Sequence, residues 1–232
     1  MNLPSRRDRC LELRFIQAMA LASAIVVLTT GRFAMADFGF DSEKLKADDS
    51  TPISASEGRA QRVGPKLILK LANGQTITFA DEDKCDGGAM RDPRCVIHRF
   101  AGYDGRIRMF LVSNVYREWG DYDLVSEVTG SDVKLPEDPH FSPAGGLFVV
   151  VSARECCGEN VIQMWRTRGG YSNLEWQHVP RGYALYNFRT WIDEDHVSLT
   201  VILHAGNGLQ ELPAALVYRN PGWHIEGPPE LP

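Results

Sequence analysis

Basic residues are in short supply in this chain: 25 Lys and Arg stand against 30 Asp and Glu, a formal net charge of −5. Phosphate binding draws on clustered Lys and Arg, so a nucleic-acid partner is disfavoured, and anionic lipid by the same deficit. Catalytic signatures are missing as well. There is no H-E-x-x-H, no G-x-S-x-G elbow, no G-x-x-x-x-G-K phosphate loop and no C-x-x-C pair. Those absences remove the zinc, nucleophile-elbow, P-loop and thioredoxin-type chemistries that need these spacings. His98, His140, His178, His196, His204 and His224 are scattered, with no two at a metal-binding interval. No catalytic, cofactor-binding or metal-binding residue is assigned, and no cofactor is expected.

Long apolar runs are also rare. Residues 16–30 form the one sustained stretch, interrupted by Gln17, and they fall short of the roughly 20 residues that cross a bilayer. Before them stand Arg6, Arg7, Arg9 and Arg14, and after them Ala34, Met35 and Ala36. A basic head, a short apolar run and small residues at the cleavage positions make residues 1–36 a secretory signal peptide, cut before Asp37. Ser5-Arg6-Arg7 hints at the twin-arginine route, but Arg9 and Cys10 occupy places where that signal prefers apolar residues. Cys10 follows Asp8 and Arg9, which argues against a lipid anchor. Cleavage removes Arg6, Arg7, Arg9, Arg14, Arg32, Asp8 and Glu12, leaving 20 basic against 28 acidic residues and a formal charge of −8. The expected location is periplasmic or secreted, with no stable membrane insertion after cleavage.

Cysteine is sparse, and four remain beyond the signal: Cys85, Cys95, Cys156 and Cys157. An even number in an exported chain points to disulfides. Cys85 with Cys95 would staple the ends of loop 86–94, leaving the adjacent Cys156 and Cys157 to a strained eight-membered ring. In the competing arrangement each of the adjacent pair bonds one of the other two. A four-thiolate metal site is a third reading, weakened by the missing paired spacing. A redox couple at Cys156 and Cys157 is a fourth: Arg154 would favour the thiolates, Glu155 and Glu159 would oppose them.

What is present is β-structure. Residues 37–64 are charged and rich in small residues, and a flexible leader is expected there. Residues 66–72 and 75–80 flank Asn73-Gly74, a strong hairpin signal. Strand patterns follow at 96–100, 107–113, 122–128, 147–152, 161–166, 174–179, 185–191, 197–203 and 214–218, with Gly or Pro in nearly every gap and no convincing helix. The stretch 122–165 reads as strand, turn, strand, Ser-Pro turn, strand, loop, strand. A faint repeat accompanies it. Residues 110–113 correspond to 149–152 at a spacing of 39, and 141–151 to 191–201 at a spacing of 50, with Asp193-Glu194-Asp195 in place of the Pro-Ala-Gly turn. Each copy ends in an aromatic-tipped strand, at 122–125, 162–165 and 216–218.

Phe141-Ser-Pro-Ala-Gly-Gly146, the strand 147–152 and Ile162-Gln-Met-Trp165 resemble a blade of secreted bacterial β-propeller-like proteins with WD40-like and TolB-like repeats. Ala144 replaces the Asp usual in that turn. The resemblance covers one blade closely and residues 106–222 loosely, and it implies an all-β domain over 65–232 of antiparallel propeller-like repeats, three or four blades in an open or closed ring, with a twisted multi-sheet sandwich as the alternative. It carries no catalytic residue.

Candidate contacts follow from exposure. Trp119 sits in a polar loop beside Arg117 and Tyr122, where an aromatic can meet a partner protein or a glycan. Asp81-Glu82-Asp83 with Asp86 is read as a solvated hairpin end rather than a calcium loop, and Asp193 to Asp195 as a plain turn. His140 is read as a hydrogen-bonded structural histidine and Ser142 as a turn-forming hydroxyl. The leading expectation is a scaffold that binds another envelope or extracellular protein. The alternatives are a saccharide hydrolase using Glu118, Asp121 and Asp123, or a redox protein using the adjacent cysteines.

Overall fold

The computed structural model describes residues 49–82, 96–116, 120–154, 160–205 and 208–228, with the backbone alone at 204 and 205. Residues 1–36, the four cysteines, Arg117, Glu118 and Trp119 lie outside the described residues, so the signal, disulfide, redox and Trp119 readings have no structural counterpart here.

Among the described residues a short helix, α1 (Ser50–Ala55), precedes fifteen strands. The first sheet holds β1 (Ala60–Val63), β2 (Lys66–Lys70) and β3 (Thr76–Ala80). The second holds β4 (Ile97–Asp104), β5 (Met109–Val115), β6 (Gly120–Ser126) and β7 (Asp132–Leu135). The third holds β8 (Pro139–Phe141), β9 (Leu147–Ser152), β10 (Val161–Arg168) and β11 (Tyr171–His178). The fourth holds β12 (Leu185–Asp193), β13 (His196–Ala205), β14 (Gly208–Arg219) and β15 (Gly222–Glu226). Every sheet is open, antiparallel and laid down in chain order. The chain is therefore all-β, as its period-two patterns and turn residues require.

The Asn73-Gly74 turn joins β2 to β3, with Gly74 at φ 83°, a conformation open to glycine at little cost. Order starts earlier than the composition suggests. Residues 49–64 carry α1 and β1 because Asp49, only 3% exposed, is held by Arg62 and by the amide of Phe100, and Ala60 joins the core. The single strand expected between the 122–128 strand and the Ser142-Pro143 turn is divided into β7 and β8 by residues 136–138, and β15 escapes the sequence patterns.

Three apolar layers separate the four sheets. Leu67 and Leu69 of β2 pack with Phe110 and Val112 of β5 in the first layer. Met109 and Leu111 of β5 pack with Phe148 and Val150 of β9 in the second. Leu147, Val149 and Val151 of β9 pack with Val197, Leu199 and Val201 of β13 in the third. β5 and β9 are thus buried on both faces, which is why both read as unbroken apolar runs rather than alternating ones.

The repeat holds strand for strand: 110–113 and 149–152 fall on the second strands β5 and β9, and the aromatic-tipped segments on the third strands β6, β10 and β14. Residue for residue it slips by one. Ser113 shares the face of Leu111 toward the third sheet, whereas Ser152 shares the face of Val150 toward the second. A spacing of 38 superposes the faces, Phe110 on Phe148 and Val112 on Val150. Likewise Phe148 pairs with Phe141 but Val197 with Trp191, so the spacing of 50 falls to 49 across a turn shorter by one residue. A one-residue slip reverses every side chain in a strand, so only packing reveals it.

Alternate connections fall at opposite ends of the sheets. Residues 71–75, 105–108, 127–131, 142–146, 169–170, 194–195 and 220–221 make tight turns at one end. At the other fall the three longest connections, 81–96, 153–160 and 179–184, beside shorter ones at 64–65, 116–119, 136–138 and 206–207. Bonds between sheets confirm the sorting: Gly170 N donates to Ile107 O and Ala144 N to Glu194 Oε1 at the turn end, and Asn160 Nδ2 to Ala184 O at the loop end.

Candidate functional site

At the loop end of the first layer, apolar packing gives way to a chain of polar side chains. On the face of the second sheet turned to the first, Phe110 and Val112 are followed two residues on by Asn114, and Val125 is preceded by Asp123 and Asp121. Period two puts them all on that one face. Register then aligns His98 of β4, Asn114 of β5 and Asp121 of β6, with Asp123 beside Lys134 of β7.

Asn114 is 0% exposed and forms the hub. Its Nδ2 donates to Asp121 Oδ1 at 2.7 Å and to Asp123 Oδ2 at 2.8 Å. Both amide hydrogens are then spent on carboxylates, so the atom facing His98 Nδ1 at 2.7 Å is the carbonyl Oδ1. An amide carbonyl only accepts, and His98 therefore carries its proton on Nδ1. Lys134 Nζ lies 2.6 Å from Asp123 Oδ1 and 2.7 Å from Oδ2, neutralising a carboxylate whose side chain is 1% exposed. Burial alone would lower the Lys134 ammonium, but the hydrogen bond to Asp123 and the charges of Asp123 and Asp121 outweigh it and raise its pKa. Burial, then the Asp121 charge, raises the Tyr116 phenol, whose hydroxyl donates to Asp121 Oδ2.

The chain continues into the first sheet through Arg62. Asp81 Oδ1 accepts from the amide of His98 at 2.8 Å, and Asp81 Oδ2 accepts from Arg62 Nη1 at 3.0 Å. Arg62 also donates to Asp49 Oδ2 from Nη2 at 2.6 Å and from Nε at 3.0 Å, and to His98 O. Phe79 packs its ring against His98 with centroids 5.2 Å apart. One continuous path thus runs from α1 through the first two sheets to β7. Asp81 is not the solvated hairpin end expected of it, because Arg62 and the His98 amide use both its oxygens.

Asp121 and Asp123, the carboxylates of the saccharide-hydrolase alternative, lie on strand β6 and are tied to one amide. Held this way, they brace the sheet end and fix the His98 tautomer. His98, Asn114, Arg62 and Lys134 escaped the sequence reading. The signal was there: Asn114 and Asp123 continue the buried parity of Val112 and Val125, and polar side chains at buried positions must find partners.

The other named residues fall elsewhere. Tyr122 is half-buried in the second layer, and its phenol is raised by burial first and then by the Asp138 and Glu137 charges. Arg154 donates from Nη2 to Gly120 O and Pro136 O and sits 3.6 Å from Glu137, so its cation clasps the loop ends of the second and third sheets. His140 stacks on Phe188, centroids 3.8 Å apart and planes at 7°, and burial lowers its pKa to about 4. Among the described residues that stack, rather than the hydrogen bond expected of the ring, holds the imidazole; the backbone carbonyl accepts from Trp191 Nε1 at 3.0 Å. Ser142 is 0% exposed, and its Oγ accepts from Leu147 N at 3.3 Å within the turn, the turn-forming role expected. Asp193 to Asp195 is a plain turn, with Asp195 N donating to Asp193 Oδ1 at 2.9 Å. Among the described residues no group of three or more His, Cys, Asp and Glu is placed to hold a metal ion. No family model, curated protein or solved structure matches the chain.

Proposed function

We propose that this chain is an exported, propeller-like scaffold that binds another envelope or extracellular protein through the connections at its loop end. The observation that carries the reading is the difference between the two ends: turns of about five residues or fewer at one, and at the other the three longest connections, 81–96, 153–160 and 179–184, beside strand ends braced by bonded side chains. Asp49, Asp81, Asp121 and Asp123 are spent on Arg62, Asn114 and Lys134, and Arg154 on backbone carbonyls. Such bonding holds strand ends still, and a rigid frame carrying variable loops is a common design for recognition. The chain-ordered meander of each four-stranded sheet supports the propeller-like reading, and the basic head, apolar run and Ala34-Met35-Ala36 support export.

Affinity capture from periplasmic extract tests it, using the mature chain and an Arg117→Ala, Trp119→Ala double variant. A protein retained by the first and lost by the second, at unchanged thermal stability, supports the reading. Retention of nothing, or equal retention by both, overturns it.

A further inference from the structure

The fourth sheet has an edge that its own strands leave open. β14 runs from Gly208 to Arg219, yet β15 pairs only with residues 215–219. Proline explains where the pairing stops. Arg219 and Gly222 flank a two-residue turn and form a hydrogen-bonded pair, so Arg219, Val217 and Ala215 direct their N–H and C=O groups to β15. Even-numbered residues direct theirs to the other side, as the bond from Tyr218 N to Asp195 O shows. The next rung toward β15 would join residues 213 and 228. Both are proline, and neither has an N–H to give.

Beyond that block, Glu211 and Leu209 keep the same outward parity. Among the described residues their four main-chain groups have no strand opposite them. Gly208, Leu209, Gln210 and Glu211 are all exposed, Leu209 to 61%. An alternating row of donors and acceptors on a strand edge is complementary to one kind of ligand, another extended backbone. The chain's own end is a poor candidate. Continued in register, residue 230 would set Glu against Glu211, residue 232 is a proline, and like charges directly opposite repel.

We propose that the free half of β14 accepts an extended peptide segment of a partner protein, carrying an apolar residue opposite Leu209 and a cationic one opposite Glu211, whose exposed carboxylate also meets Arg189 Nη2 through Oε1. The net charge of −5 favours a cationic partner. This edge is separate from the Arg117 and Trp119 loop, so either reading can fail alone.

The probe is the peptide acetyl-Thr-Lys-Thr-Val-Thr-amide, added to the 15N-labelled mature chain. Saturable shifts of the Leu209 and Glu211 amides are expected. N-methylation of the probe at Lys and Val should weaken binding at least about tenfold, whereas methylation at the central Thr, whose N–H points away, should not. Glu211→Pro should abolish binding while sparing the ladder to β13, as Pro213 already does. Equal binding by both methylated peptides, shifts at another sheet edge, or no saturation overturns the proposal. So does binding that appears only after residues 229–232 are removed, which would make the tail the occupant. A concentration-dependent dimer lost in Glu211→Pro would assign the edge to a second copy and equally overturn it.

Discussion

The second and third sheets offer the same backbone positions at their loop ends and fill them differently. On the face turned to the preceding sheet, the second carries Asn114, Asp121 and Asp123, and the third carries Ser152, Val161 and Gln163 at the matching pairs. The first set is ionic and linked through His98 to Asp81 and Arg62 across the layer, whereas the second is neutral. Gln163 accepts from Trp165 Nε1 at 3.2 Å, within its own sheet. The first layer is built from eight buried apolar residues and the second from nine, so apolar content does not separate them. What distinguishes the first interface is its directional bonds to buried charges. Such bonds fix geometry, and their loss is costly because the charges remain buried.

Breaking the hub should show this most clearly. Asn114→Ala strips hydrogen bonds from Asp121, Asp123 and His98 and is expected to cost about 4 kcal/mol in denaturant unfolding. Ser152→Ala at the matching position should cost less than about 0.5 kcal/mol, since Ser152 Oγ has no partner among the described residues. Equal costs would erase the distinction between the layers.

Acid should act next, through the third layer. His140 titrates near 4 in the folded chain against an ordinary 6.5, so the unfolded chain takes up its proton first. Its contribution is fully present above about pH 6.5 and is lost as the pH falls toward 4, to the extent of about 3 kcal/mol. Unfolding of His140→Phe across that window should show a shallower loss. An unchanged pH slope would remove His140 as the cause.

Two smaller effects probe the second layer. Gly170 has φ 85°, and a Cβ there would lie 2.5 Å from Val128 Cγ2, so Gly170→Ala should cost about 2 kcal/mol. Its neighbour Gly169, at φ 58° with open space around it, serves as the control and should lose less. Gln163→Leu, which leaves the Trp165 N–H unpaired, should cost about 1 kcal/mol. A calorimetric melt ranks all of these, and an inverted order would contradict the assignment of bracing to the first layer.

Strand patterns, the Asn73-Gly74 hairpin and the Ser142-Pro143 turn were legible because each is local. Alternation, β-branched runs and glycine or proline at reversals act over a few residues whatever the rest of the chain does. The site was half legible. Asp121 and Asp123 could be picked out as a pair of carboxylates two apart, but His98, Asn114 and Lys134 come from three other strands. Their meeting depends on which residue faces which across the ladder.

The amino-acid order therefore determined the β class, the positions of most strands and the presence of a repeat. Only the tertiary structure decided which face of each strand meets which neighbour. The repeat spacing shows why: 38 and 39 are equally plausible in sequence, yet one residue moves Ser113 and Ser152 to opposite faces. Side-chain direction alternates with every residue, and the choice between the two parities is made by what packs on either side.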